Sequence, residues 1–331
     1  MVKTVALLGA LDTKGVEYGF VKHYIEQAGL RTLVIDIGVL GSPPFAPDVT
    51  REEVAKAGGD VSAYVGVKDI VMIPSIVDVS GINKISREVF ARAAGAIVGM
   101  VNAEVPKGED KPLITASMFG NTTTAVEHAK SILEKAGYEV LVFHAVGTGG
   151  RTMESLIETG MISGVLDITT TEWADELVGG VLTAGPNRLE AAAKHGVPAI
   201  VTPACLDMVN FRAPDSIPEK FKGRNFYQHN PDVTLMRTNV EESKRLGGIL
   251  AEKLNMSTGP VTVLIPKKGL SMIDAPGGPY WWPEADQALS AALKNNLRKD
   301  IPVIEMDANV NDPEFSERCA NELLANIAKK K

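Results

Sequence analysis

Short apolar runs alternate with stretches of helical spacing along most of the chain. Thr4 to Leu8 has the pattern of a buried strand. It opens into Gly9–Gly15, followed by a helical stretch to about Ala28, closed by Gly29, and a second strand from Thr32 to Ile37. Leu40 to Pro47 reads as a loop. Thr50 and Glu53 form a capping-box pair at the start of a short helix that Gly58-Gly59 stops. Ile70–Ile73 and Ile76–Val79 are apolar runs broken by Pro74, and Arg87 to Val101 is a helix of small residues. The charged, breaker-rich stretch from Glu104 to Lys111 reads as a linker.

Beyond it lies a complete strand–helix–strand unit. Leu113–Met118 is a strand, Phe119–Thr124 a polar loop and Ala125–Ala136 a helix stopped by Gly137. Tyr138–His144 is the second strand, with Gly147-Thr148-Gly149-Gly150 following at once. The rhythm continues with strands at Gly164–Ile168, Pro198–Val201, Val261–Ile265 and Val303–Met306. Helices fall at Thr152–Thr159, Asn187–His195, Val240–Leu254, Ala285–Leu297 and Pro313–Lys329. Asn210–Asn230 reads as irregular and Gly269–Pro283 as a breaker-rich loop. Such alternation predicts an α/β fold of two domains with parallel sheets, residues 1–105 and 106–331.

Composition changes this picture little. The chain has 331 residues, 45% of them hydrophobic, a net charge of −7 and a pI near 5.4. No basic face argues for nucleic acid, and no apolar run is long enough for a membrane span. Cys205 and Cys319 lack paired spacing, which predicts a reducing compartment, cytoplasmic residence, no disulfide framework and no structural metal.

Candidate chemistry gathers where strands of a parallel sheet end, the edge at which open α/β folds bind ligands. In the second domain these positions are Asn121, Thr122, Thr123, His144, Gly147, Thr148, Gly149, Gly150, Thr169, Thr170 and Glu172. The glycine run has the composition of a backbone nest for an anion, or of a tight turn; the hydroxyls also suit helix capping. His144, Glu172 and Cys205 are candidate catalytic groups, a Cys–His pair among the options beside the plainer reading of a small buried thiol. Together they suggest an enzyme acting on a small carboxylate or phosphate. Arg212, Lys220, Lys222, Arg224 and His229 share one loop with Phe211, Phe226 and Tyr227, and Tyr280-Trp281-Trp282 suits a lid or a subunit interface. A non-catalytic interaction protein is a further reading.

In the first domain, Asp12-Thr13-Lys14 suits either a helix cap or a phosphate site. Here a resemblance enters. The motifs GALDTK, ASMFGNTT, VGTGGRTME, DITTTEWADELVGG and PACLDMVNF, together with the stretch from Asp69 to Val101, resemble the Tm-1-like ATP-binding family of UPF0261 type, from the first strand to the last helix. The resemblance implies two Rossmann-like domains, a homodimer and ATP in the first domain, where the Asp12 carboxylate suits a companion Mg²⁺. The implied nucleotide contacts are Asp12, Thr13, Lys14, Thr50, Gly58, Gly59, Asp60 and Gly66. That family carries a further αβ stretch with a glycine-rich loop between the counterparts of Glu53 and Asp60. Here the chain runs directly from EEVAKAGG to DVSAYVG, which leaves the first Rossmann-like domain reduced. The helix at Arg87–Val101, with little bulk on its surface, is the expected dimer element.

Overall fold

The computed structural model describes residues 3–38, 41–56, 73, 81–104, 106, 108 and 110–330. By its contacts the chain divides into two units, Met1–Glu109 and Asp110–Lys331.

In the first unit β1 (Thr4–Gly9) and β2 (Arg31–Asp36) pair in parallel, Thr4 against Arg31 through Gly9 against Asp36. Between them runs α1 (Leu11–Gln27). A loop over Gly9–Gly15 was the expectation, but the helix begins two residues after the strand ends. The reason is long-range: Asp36 Oδ1, at the end of β2, accepts the Leu11 N–H at 3.0 Å and so caps α1 from outside. Lys14 departs from helical geometry at φ −126° and kinks the first turn. α2 (Arg51–Lys56) starts at the expected pair, with Thr50 N–H donating to Glu53 Oε2 at 2.8 Å. α3 (Lys84–Asn102) starts at a reciprocal cap between Asn83 and Ser86. A small core joins Val5, Ile25, Leu30 and Ala94. The apolar runs at residues 70–79 lie outside the described residues, Ile73 excepted.

The second unit opens with β3 (Leu113–Met118), a 3₁₀ turn (Gly120–Thr122), α4 (Thr123–Lys135), β4 (Glu139–His144), α5 (Thr148–Ile157) and β5 (Ile162–Thr169). α6 (Glu172–Val178), α7 (Glu190–Lys194) and β6 (Ala199–Ala204) follow. After the excursion β7 (Met208–Phe211), β8 (Phe226–Asn230) and β9 (Val233–Arg237), the rhythm resumes. It continues through α8 (Val240–Asn255), β10 (Val261–Pro266), α9 (Pro283–Asn296), β11 (Val303–Met306) and α10 (Pro313–Lys330). The main sheet is parallel, in the order β11-β10-β6-β5-β3-β4. Apolar side chains of its strands are buried on both faces, in two separate clusters.

The excursion corrects the reading of Asn210–Asn230 as irregular. β7, β9 and β8 form an antiparallel sheet in that order. Val209 and Met236 face the main core, while Met208, Leu235 and Tyr280 pack on the other side. The helix expected over Asn187–His195 shrinks to Glu190–Lys194, because Leu189 takes a left-handed φ of 75° while Arg188 is drawn into the interior.

Candidate functional site

Strand order reverses between β3 and β5, since the chain leaves β3 toward β4 on one side and continues from β5 on the other. A doubly wound sheet binds ligands in the crevice at that point. The loops there are Phe119–Thr122 and Thr169–Glu172. Asn121, Thr122, Thr169, Thr170 and Glu172 are buried, while Thr123, His144 and Thr148 are exposed. The hydroxyls are largely spent on each other and on backbone. Thr122 Oγ1 lies 2.7 Å from Thr169 Oγ1, Thr170 Oγ1 donates to the Thr202 carbonyl, and Asn121 donates to Met208 Sδ at 3.7 Å.

The glycine run is an anion nest whose anion comes from the protein itself. Glu172 Oε1 accepts the N–H groups of Gly147 at 2.7 Å and Gly150 at 3.1 Å. Gly147 needs its φ of 83°, and a Cβ on Gly150 would sit 2.2 Å from Glu172 Oε2. That second oxygen accepts from Arg188 Nε at 2.7 Å. Arg188, fully buried, also holds Asp167 through two bonds of 2.6 and 2.7 Å and Glu154 at 3.0 Å. Asp167 Oδ1 in turn accepts from Ser117, whose Oγ takes the Thr169 N–H. Glu172 therefore positions the turn rather than awaiting a substrate, and sequence reasoning missed its partner Arg188.

Cys205 is buried, and burial together with the nearby Asp207 and Asp274 pushes its thiol well up. It follows β6, whereas His144 ends β4, with β5 and β3 between them. At about 4.8 Å per strand that is roughly 14 Å, so no Cys–His pair forms. The loop cations do not converge either: Arg224 is bidentate on Glu242, Lys222 pairs with Glu219, and Lys220 stacks over Phe221.

In the first unit the carboxyl end of β1 leads into the α1 turn that carries Asp12, Thr13 and Lys14, and Asp12 lies near Arg51, which with its partner Asp36 sequence reasoning missed. Asp36 is buried. Burial raises its carboxyl, but the Gly38 and Leu11 N–H groups and Arg51 outweigh this and hold it below its ordinary range. Arg51 Nη2 lies 2.8 Å from Asp36 Oδ2 and its Nη1 3.7 Å from Asp12 Oδ2. Thr13 Oγ1 donates to the Ala10 carbonyl at 3.4 Å. Thr50 serves the α2 cap, and Gly58, Gly59, Asp60 and Gly66 lie outside the described residues. Among the described residues no group of three or more His, Cys, Asp and Glu side chains could hold a metal ion, and no helix is long and apolar enough to cross a membrane.

The buried acids predict opposite pH responses in the two units. Burial pushes Asp175 up to about 7, against N–H donors from Asn210 and Leu182, and Asp207 up to about 6. Both lie above the unfolded value of about 3.9, so the native state holds their protons more tightly. Their contribution is full below about pH 4 and is lost as pH rises through about 6 to 7. The lowered carboxyl of Asp36 works the other way, stabilising the first unit above about pH 4 and fading in acid. Urea midpoints should therefore fall for the second unit between pH 5 and pH 8; a rise over that range contradicts the assignment.

The chain matches the N-terminal domain of Uncharacterised protein family UPF0261 over residues 3–60 and 55–106, and its C-terminal domain over residues 111–327. A UPF0261 protein of Clostridium tetani (strain Massachusetts / E88) is 43% identical over 400 aligned positions, covering 98% of this chain and 99% of the relative. One from Rhizobium meliloti (strain 1021) is 45% identical over 288 residues, 86% of this chain and 72% of the relative. The ToMV resistance protein Tm-1(GCR237) of Solanum lycopersicum is 41% identical over 278 residues, 81% of this chain and 37% of that protein. An alignment of 400 positions against 331 residues leaves at least 69 positions of the clostridial protein without a counterpart here. The two N-terminal matches meet at residues 55–60 and so locate the gap, where the sequence pointed to a missing stretch.

Proposed function

Because the chain belongs to the uncharacterised protein family UPF0261, we propose that it is a nucleotide-binding protein of that family, holding ATP at the start of α1. One observation carries the reading: α1 starts two residues beyond the end of a parallel strand and brings Thr13 and Lys14 in its first turn. A helix start at the carboxyl edge of a parallel sheet favours phosphate, through its N–H groups and its dipole. Arg51 adds a guanidinium at the same edge, a shape that matches phosphate oxygens. In this reading Lys14 and Arg51 meet the phosphates, and Thr13 offers its hydroxyl. Arg51 also stands between Asp12 and Asp36, where a cation would otherwise be drawn, so Mg²⁺ would enter with ATP rather than ahead of it.

Calorimetric titration with ATP, with and without Mg²⁺, tests this. Lys14→Ala should weaken binding at least about tenfold, the loss expected for a hydrogen bond to a charged group. Lys194→Ala, on the surface of the second unit, should leave binding unchanged. No heat with the natural chain, or unaltered affinity in Lys14→Ala, overturns the reading. The alternative, a small carboxylate or phosphate in the second unit, has a glycine turn whose Gly147 and Gly150 N–H groups both hold the Glu172 carboxylate, whereas at α1 the Asp36 carboxylate takes the Leu11 N–H.

Homodimerisation through α3 belongs to the same proposal. Gly95 and Gly99 are exposed, and a Cβ on either would meet nothing within 4 Å. Met100 and Ile85 on this helix are exposed apolar side chains. Light scattering should give a dimer mass for the natural chain and a monomer mass for Gly95→Arg. A monomeric natural chain ends the idea, and an unaffected dimer moves the interface off α3. Cytoplasmic residence is part of this reading, supported by two free, buried cysteines.

A further inference from the structure

The loop after β10 meets the turn that follows β6, where the Cys205 N–H donates to the Leu270 carbonyl at 2.9 Å, and it borders the switch-point loop at Phe119. It runs from Gly269 to Trp282 and carries Tyr280 into the interior, where the ring packs with Cys205, Met208 and Leu235. Phe119 and Tyr227 border the cluster, Tyr227 meeting Tyr280 edge-on at 6.4 Å. Polar groups come together here without being satisfied. Asp207 Oδ2 accepts from Ser271 at 2.7 Å, but Asp207 Oδ1 has no hydrogen-bond partner among the described residues. The same holds for Asn210 Oδ1 and for the Tyr280 hydroxyl, all in residues at most 1% exposed. Buried polar atoms in native proteins are ordinarily paired, so three such atoms in one region call for an occupant. Cys205 adds a left-handed φ of 59°, a strained conformation of the kind that gathers at functional sites.

The loop's return limb is held largely by one side chain. Arg237 Nε donates to the Tyr280 carbonyl at 2.8 Å, and its Nη2 reaches Asp286 at 2.8 Å, Asp274 at 3.4 Å and the Trp282 carbonyl at 3.5 Å. Asn225 adds a bond to the Pro279 carbonyl.

We propose that the Gly269–Trp282 loop is a lid with Tyr280 as its plug, closed over a second ligand site that takes a small primary amine. The ligand class follows from what is unpaired. Asp207 Oδ1 and Asn210 Oδ1 are acceptors, and the Arg237 donors are already engaged. Asp207, Asp274 and Asp286 surround that single guanidinium; burial pushes Asp274 up to about 9, so it holds its proton and leaves two acids to face one cation. An anion would meet this excess of negative charge, whereas an ammonium group brings three N–H donors and a charge that complements it. The aromatic faces of Tyr227 and Phe119 suit the same cation. Opening the lid withdraws Tyr280 and exposes Asp207, Asn210 and the Cys205 thiol together.

Per-residue alkylation of the native protein with iodoacetamide, read by mass spectrometry, tests both parts. Cys319, buried in α10, reports global unfolding. If the lid opens locally, Cys205 should label at least about tenfold faster than Cys319, because local opening costs less than global unfolding. Tyr280→Ala, which keeps the backbone carbonyl that Arg237 holds, should accelerate Cys205 alone. Ethylammonium chloride should slow Cys205 labelling relative to sodium chloride at equal ionic strength, and Asp207→Asn should abolish that protection. Should Asp207→Asn not fold, Asn210→Ala carries the same test. Equal labelling of the two cysteines in the natural chain and in Tyr280→Ala overturns the lid. Protection no greater than that of sodium chloride, or protection that survives in the variant that folds, overturns the amine site.

Discussion

Arg188→Met should destabilise the second unit by about 3–5 kcal/mol, the cost of leaving buried charge without its partner. The guanidinium is fully buried and holds Asp167 twice, Glu172 once and Glu154 once, at 2.6 to 3.0 Å. Methionine fills much of the volume but none of the charge. The three acids must then take up protons or water, so the loss should be greater at pH 8 than at pH 5. Urea unfolding at the two pH values measures it. A loss under about 1 kcal/mol would reduce the network to the worth of a surface pair.

Gly149→Ala should be nearly as damaging, though nothing about its charge changes. A Cβ there would stand 1.8 Å from the His144 carbonyl oxygen, which is backbone and cannot rotate away. The first turn of α5 would have to shift, and with it the N–H groups that hold Glu172. Overpacking of this kind costs about 1–3 kcal/mol, at times more. Taking about 3 kcal/mol, a unit of this size should lose roughly 6–12 °C in melting temperature. Gly120→Ala, at the same sheet edge, is the control: a Cβ there meets nothing within 4 Å, so the change should stay within about 0.5 kcal/mol. Equal effects of the two substitutions would refute the steric account.

Much of this architecture is visible in the order of residues, because a parallel sheet buried on both faces writes each strand as an apolar run. Leu113–Met118 and Val261–Pro266 are such runs, and both are strands. β8 is not: Phe226-Tyr-Gln-His-Asn230 sits on the edge of a small sheet, half exposed, and carries no such signature. The candidate sites were legible as compositions and not as partnerships. The glycine run at Gly147 called for an anion, and there is one, but only the fold shows it to be Glu172. Arg188 follows Pro186 and Asn187 in what reads as a solvated helix start. Its partners at 154, 167 and 172 become neighbours only when α5, β5 and α6 pack. Asp36 capping α1 is the same lesson in the first unit, a carboxylate from one strand end satisfying a helix that begins 25 residues earlier.

The central claim is that a nucleotide sits at the start of α1. Hydrogen–deuterium exchange with and without ATP tests it most directly, because backbone N–H groups are the proposed ligands. The account predicts slowed exchange at Asp12 and Thr13 in the presence of ATP, with Gly147 to Arg151 unchanged. Protection confined to the Gly147 turn, or no protection at either segment under saturating ATP, would contradict it.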